Sequence, residues 1–343
     1  MNKISVGVIG AGGNTRNHHI PKLQAINGVE ITGVVNRSQE SSQAVADEFG
    51  IPKIYDDWTQ AIDDPDTNAI VIGTWPYLHC RATLAALESG KHVMCEARMA
   101  RDASEAWQMR DASQMNPDLI AQIVPSPFSL NVDRTIQKLI ADGYLGDILA
   151  YELRVGGSFS DQGGELHWRQ NFDLSGYNIM ALGIWYEAAL RWIGEAKSVT
   201  AAGKVYTTMR KDPDGIMRSC RIPEHVDVLA DMACGAQAHF QISSVAGLCH
   251  DNAAYLFGSE GTIRYDASSS SLSGGKRGDT ELSPIDIPPE LFGGWRVEEE
   301  FVSAIRGQEA ITHTTFEDGV KYMEFTEAVA RSMQTGEAVA LPL

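Results

Sequence analysis

The opening stretch, Ile4-Ser5-Val6-Gly7-Val8-Ile9-Gly10-Ala11-Gly12-Gly13-Asn14-Thr15, constrains this chain more than any other. Val6, Val8 and Ile9 read as a short buried strand, and Gly10, Gly12 and Gly13 let the chain turn tightly after it. A helix is expected over residues 18–23. Strand, glycine turn and helix start together aim free backbone N–H groups and the helix dipole at one place, which suits a phosphate. The first two glycines match the dinucleotide fingerprint G-x-G-x-x-G, but Thr15 stands at the third position. A tight turn with no ligand is the alternative reading of these residues alone.

The order of elements after the turn decides between the two. Strands are expected over 29–35, 54–55, 69–73, 92–95 and 119–124. Helices are expected between them, over 39–49, 57–62, 79–88 and 103–115. This alternation is the pattern of βαβ units and a parallel sheet, whose ligands lie beyond the carboxyl ends of the strands. Gly10, Asn36, Thr74 and Glu96 all fall at such ends. The second strand ends in Asn36-Arg37-Ser38, with no carboxylate to repel a 2′-phosphate, so NADP is favoured slightly over NAD. Ser38 also suits the N-cap of the next helix, and both roles are compatible.

Pro125 and Pro127 break the pattern, which puts a domain crossing near 124–128. The division is read as a dinucleotide-binding domain over 1–124 and a substrate and oligomerisation domain over 125–343, with the closing helix able to pack back on the first. In the second part a helix is expected over 132–142, capped by Asn131, then a strand over 148–155. A glycine-rich polar stretch comes next over 156–175, and an unusually apolar helix over 177–193. Strands over 199–207, 226–232, 236–242, 253–257 and 262–265 have short connections, so they read as mostly antiparallel. Residues 268–278 read as a Ser/Gly loop, and 297–305 and 316–334 as closing helices. The fold class is therefore a Rossmann-type α/β domain with a parallel sheet, followed by an α+β domain with a large, mostly antiparallel open sheet.

The chain has 343 residues and a formal net charge of −17, which argues against nucleic acid and against an anionic membrane surface. No apolar run is long enough to span a bilayer, and the sequence goes straight into a strand without a secretory pattern. Five scattered cysteines form no C-x-x-C pair, which suits reduced thiols in a cytoplasmic protein and gives no metal signature.

The chain resembles the glucose–fructose oxidoreductase / inositol dehydrogenase / rhizopine-catabolism (Gfo/Idh/MocA) family. The resemblance rests on Gly10-Ala11-Gly12-Gly13 with His18, on Thr74-Trp75-Pro76-Tyr77-Leu78-His79, and on Gly90-Lys91-His92-Val93-Met94-Cys95-Glu96. Leu145-Gly146-Asp147-Ile148, Trp168-Arg169, Gly258-Ser259-Glu260-Gly261-Thr262 and Phe316-Glu317-Asp318-Gly319 continue it in the same order. It implies NAD or NADP binding, oxidation or reduction of sugars and cyclitols, and homodimers or homotetramers built through the second sheet. The residues assigned to the cofactor, from the strand ends and the resemblance together, are Gly10, Gly12, Gly13, Asn14, Thr15, Asn36, Arg37, Ser38, Thr74, Trp75, Pro76, His79 and Glu96.

The chain departs from the family where the proton chemistry should be. The family's Glu-Lys-Pro is here Glu96-Ala97-Arg98, and the positions of its helix Asp, His and Asp hold Ala181, Trp185 and Ala188. A hydride transfer between alcohol and ketone needs a group to take or give the hydroxyl proton. His167, Tyr177 and Tyr186 are the replacements considered, with Arg98, Arg169, Asn178 and Trp185 assigned to the substrate. Two other readings stay open: a catalytically silent nucleotide and sugar sensor, and a redox-neutral elimination, epimerisation or hydrolysis using bound cofactor.

Overall fold

The computed structural model describes residues 3–249 and 251–343, which divide into two compact units. One runs up to Pro125 and includes Arg296–Val320; the other is Ser126–Trp295 with Lys321–Leu343.

The first unit is built on a parallel sheet of β1 (Ile4–Ile9), β2 (Val29–Val35), β3 (Lys53–Ile54), β4 (Ala69–Ile72), β5 (His92–Cys95) and β6 (Ala121–Ile123). Among the described residues their order is β3-β2-β1-β4-β5-β6, the doubly wound order, with the reversal between β1 and β4. All six residues of β1 are buried, as a central strand covered on both faces requires. Helices follow from local chemistry. Ser38 caps Gln39–Phe49 by accepting from the Ser41 N–H, and Gly50 ends that helix in the left-handed region at φ 65°. Asp57 and Asp102 cap Trp58–Asp63 and Ala103–Met115 in the same way as Ser38. The buried Lys91 ammonium before β5 is satisfied by the Asp64 carbonyl, the Thr67 carbonyl and the Thr67 hydroxyl, at 2.8, 2.7 and 2.7 Å. Arg296–Val320 is tied to this unit by Glu300, which accepts from Gln122 Nε2 at 2.9 Å.

The second unit carries a nine-stranded sheet, counted among the described residues. Its order is Ser283–Ile285, Ser271–Lys276, Gly261–Asp266, Ala253–Gly258, Ile148–Gly157, Gln237–Gly247, His225–Met232, Ala196–Lys204, Val339–Ala340. Only the central pair Ile148–Gly157 and Gln237–Gly247 is parallel there. The helix Leu182–Ile193 covers this sheet, with Tyr186 stacked on Phe325 at 3.7 Å between ring centroids and edge-on to Phe240 at 6.0 Å.

Three local expectations are corrected. The apolar helix starts at Leu182, not at 177. Before it, Gly176 closes the short turn Phe172–Ser175, Asn178 donates to the Ser175 carbonyl, and Met180 adopts φ 45°, so apolar content alone overstates the helix. Residues 268–278 contain the strand Ser271–Lys276 rather than a plain loop. A Cβ at Gly274 would lie 2.6 Å from Ile285 Cδ1 and 2.7 Å from the Tyr144 hydroxyl, so glycine there serves close packing within a sheet. Asn131 does not cap the helix Asp133–Ala141, whose N-cap is Val132.

Candidate functional site

The turn after β1 is shaped by contact with the turn after β4. Gly10 has φ +84°, and a Cβ on it would lie 2.6 Å from Thr74 Cγ2 and 2.8 Å from the Thr74 nitrogen. A Cβ on Gly73 would lie 2.1 Å from Thr15 Oγ1 and 2.2 Å from the Gly10 carbonyl oxygen. The third fingerprint glycine normally permits close helix–strand packing. Here that space is supplied from the opposite side, by Gly73, and Thr15 fills it. The chain passes from Thr15 through the π-helical turn Thr15–His19 into the helix Ile20–Ala25, a later α-helical start than residue 18. The Asn36 carboxamide fixes the turn from β2: its oxygen accepts from the Ala11 N–H at 2.7 Å, and its nitrogen donates to the Ser41 carbonyl at 3.1 Å.

These turns border a cleft of about 400 Å³ at the carboxyl ends of β1, β2 and β4. Gly10, Gly12, Asn36, Arg37, Thr74 and Trp75 line it. The Arg37 guanidinium lies 4.4 Å over the Trp75 ring. Arg37 forms no ion pair among the described residues. Ser38 is occupied as a helix cap, Pro76 opens the helix Pro76–Glu88, and Gly13 has nothing within 4 Å of an added Cβ. The cleft also takes in Ser41, Asp56, Asp57 and Trp58, which sequence reasoning missed. The strand-end rule could have found the last three, because they follow β3 directly.

His79 and Glu96 each join one turn to another. The His79 ring is buried between the Arg98 carbonyl, 2.9 Å from Nδ1, and the Thr74 carbonyl, 3.0 Å from Nε2. Burial pulls its pKa down. It couples the turn after β4 to the turn after β5 and does not line the cleft. Glu96, at the end of β5, accepts through Oε1 from Asn14 Nδ2 and from His19 Nε2, the latter at 3.0 Å. His19 Nδ1 donates in turn to Glu298 Oε1 at 2.6 Å. Burial alone would lower the His19 pKa, but the bonds to Glu298 and Glu96 outweigh it and raise it to about 9. Both carboxylates are held below their ordinary range by the same imidazolium, against the opposing effect of burial.

This sets an expected pH response. His19 has a folded pKa above its unfolded value, so its contribution is complete below about 6.5 and is lost as the pH rises through about 9. The loss is about 3 kcal/mol. Urea unfolding at pH 6 and pH 9.5 should show that difference, and His19→Gln should flatten it.

The sequence-derived residues of the second unit divide. Tyr186 is 1% exposed, and its hydroxyl accepts from the Ala196 N–H at 2.8 Å. It belongs to the core and has no surface from which to reach a substrate. Trp185 is buried and stacked on Phe128 at 4.8 Å, so packing occupies the face assigned to a sugar. Asn178 is buried with its amide turned inward to Ser175. His167 is exposed but acts as the N-cap of the turn Trp168–Gln170, its Nδ1 accepting from the Arg169 N–H at 3.3 Å. The neutral ring then carries its proton on Nε2 and keeps no lone pair for another. Arg169 is exposed over the Trp168 ring at 4.1 Å. Tyr177 is half-buried and edge-on to Phe172 at 5.2 Å, and its hydroxyl makes no hydrogen bond among the described residues. Arg98 is 2% exposed and presents almost no surface to a substrate.

Two family models match this chain. The oxidoreductase family model with an NAD-binding Rossmann fold covers residues 4–121, and the Gfo/Idh/MocA C-terminal domain covers 134–264. The chain belongs to the Gfo/Idh/MocA oxidoreductase family. Among curated relatives of this Gfo/Idh/MocA protein, levoglucosan dehydrogenase of Pseudarthrobacter phenanthrenivorans is 30% identical over 149 residues, 42% of this chain and 37% of that protein. The 1,5-anhydro-D-fructose reductase of Ensifer adhaerens is 36% identical over 103 residues, 30% of this chain and 31% of that protein. The chain thus spans less than half the length of these relatives. A levoglucosan dehydrogenase solved with NADH and L-sorbose superposes with a TM-score of 0.86 at 22% identity, covering 99% of both chains, which shows a shared fold.

Within this Gfo/Idh/MocA fold the positions read from the sequence as departures have clear places. Ala97 follows Glu96, and the Ala97–Arg98 peptide is cis. Ala181 is the N-cap residue of Leu182–Ile193. Glu187, the one acid on that helix, accepts from the Ser126 N–H at 3.0 and 3.1 Å and from Arg191 Nη1 at 2.7 Å. Arg191 Nε lies 2.9 Å from Asp133 Oδ2, and Trp192 donates to the other Asp133 oxygen at 2.7 Å. Glu187 is a buried brace, and its oxygens are already engaged. Among the described residues no cluster could hold a metal ion and no helix is long and apolar enough to cross a membrane.

Proposed function

We propose that this chain is a nicotinamide-dependent oxidoreductase acting on a secondary alcohol of a sugar or cyclitol, with Tyr177 moving the hydroxyl proton. The observation that carries the reading is the cleft at the reversal of strand order, whose Gly10 wall leaves no room for a Cβ. Gly10 serves the tight turn packed on Thr74, while Gly12 lines the cleft and would meet only the Gly73 carbonyl, at 3.6 Å, with an added Cβ, so backbone there can approach a pyrophosphate and the residues present fit the cofactor. When bound, the nicotinamide supplies the site that accepts or returns a hydride. Arg37, over the Trp75 ring and without a carboxylate partner among the described residues, would hold a 2′-phosphate, so NADP+ should bind at least as tightly as NAD+. The sugar class is supported by relatives that act on levoglucosan and 1,5-anhydro-D-fructose.

For the proton, local chemistry narrows three candidates. Tyr186 is sealed in the core and the His167 ring is committed as a cap. Tyr177 has a hydroxyl with no partner among the described residues. Its phenol can give a proton to an alkoxide in reduction and take one back in oxidation. Arg169, exposed over Trp168 earlier in the same segment, would hold substrate oxygen atoms. Leu149 and Leu229, each more than half exposed on the second sheet, support homo-oligomerisation through that face.

The experiment is turnover of a polyol panel with NADP+ and NAD+, comparing Tyr177→Phe with His167→Gln. Tyr177→Phe should lower kcat by about 100-fold with cofactor affinity unchanged. His167→Gln should stay within about threefold. The opposite ranking would return the relay to His167.

A further inference from the structure

The buried chain Glu96–His19–Glu298 joins three parts of the first unit that are far apart in sequence. Only one member is open: the side chains of His19 and Glu298 are 0% and 1% exposed, and that of Glu96 is 14% exposed. A structural brace would need one carboxylate to satisfy the second ring nitrogen, and a backbone carbonyl would serve as well. The two carboxylates and one imidazolium carry one net negative charge among themselves, with the Lys22 ammonium also acting on the buried Glu298 end. That charge is displayed at the carboxyl end of β5 by Glu96, whose Oε1 also receives the amide of Asn14 from the glycine turn. Glu96 Oε2 faces its neighbour's backbone N–H, from Ala97 at 3.2 Å.

The position matters because of the topology. The cleft lies at the ends of β1 and β2, the half of a doubly wound sheet that takes the first nucleotide, and reaches across the reversal to the end of β4. The ends of β4 and β5 belong to the other half, on the far side of the reversal between β1 and β4. A nicotinamide ring is cationic when oxidised and neutral when reduced. A fixed negative charge near its half-site therefore interacts with one redox state and not the other.

We infer that Glu96, held ionised and oriented by His19 and Glu298, biases the bound cofactor toward its oxidised form. This rests on the proposed nicotinamide site and adds a function to it: the triad sets the balance of the cofactor's two redox states and does not touch the substrate proton. Glu96 is in this sense a tuning residue, and Glu298 a positioning residue that acts through His19.

The test is equilibrium binding of the oxidised and reduced cofactor to the full-length protein by calorimetry, with no substrate present. The readout is the ratio of the Kd for the reduced form to the Kd for the oxidised form. Glu96→Gln keeps the shape and removes the charge, and should lower that ratio by about tenfold, mainly by weakening the oxidised form. Glu96→Asp should hold the ratio within about threefold. His19→Gln removes the cation that holds Glu96 ionised and oriented, and should lower the ratio toward that of Glu96→Gln. If Glu96→Gln does not fold, the His19→Gln direction alone decides. An unchanged ratio in folded Glu96→Gln or folded His19→Gln overturns the inference while leaving the cofactor site intact. A wild-type protein that binds neither form overturns the cofactor reading itself.

Discussion

Gly73→Ala should destabilise the first unit by about 3 kcal/mol and weaken cofactor binding by at least about 100-fold. The added methyl would sit 2.1 Å from Thr15 Oγ1 and 2.2 Å from the Gly10 carbonyl oxygen. The threonine side chain can rotate away. The Gly10 carbonyl cannot move without carrying the glycine turn with it, and that turn lines the cleft. A double variant, Thr15→Gly with Gly73→Ala, separates the two contacts. It relieves the hydroxyl but not the carbonyl, so it should recover part of the stability and little of the binding. Thermal melting and calorimetric titration of both variants check this. Full recovery of binding in the double variant would mean that the carbonyl contact is not what shapes the turn.

Glu187→Ala should cost about 3 kcal/mol or more, and the loss should appear in stability. The carboxylate is buried, and it satisfies the Ser126 N–H where the chain enters the second unit. Its removal leaves that donor unpaired and leaves Arg191 with Asp133 as its remaining carboxylate. Glu187→Gln retains one acceptor and should cost about half as much. Denaturant unfolding measures both. Since Glu187 is the one acid on the apolar helix, it is a natural suspect for proton chemistry. A large fall in kcat with stability unchanged would make it that; the hydrogen bonds to Ser126 and Arg191 predict the reverse.

The sequence makes some parts of this molecule legible and conceals others for physical reasons. The β2 strand, the helices Gln39–Phe49, Ala103–Met115 and Val297–Ile305, and β5 are readable to the residue, because caps and apolar runs mark their ends. The glycine turn is readable, but the meaning of Thr15 is not. Its partner Gly73 lies on another strand, and packing across strands leaves no mark at either position alone. The same reason hides the start of the apolar helix. Ile179, Met180 and Ala181 continue the apolar run of the helix backward, and only the backbone at Gly176 and Met180 separates them from it. His19 is overshadowed by its neighbour His18 in the family string, although His19 is the ring that bridges Glu96 and Glu298. Glu298 comes from a segment 279 residues from His19, a distance no spacing rule bridges.

Nucleotide binding and turnover are separate claims here, because the sequence reading puts Ala97 and Trp185 at the positions the resemblance gives to a lysine and a histidine. The most direct test is absorbance at 340 nm as the purified protein meets NADP+ or NAD+ with a panel of sugars and cyclitols. The account predicts reduced nicotinamide with at least one polyol, and its loss in Tyr177→Phe. Tight cofactor binding with no change at 340 nm across the panel would contradict it and favour a silent sensor.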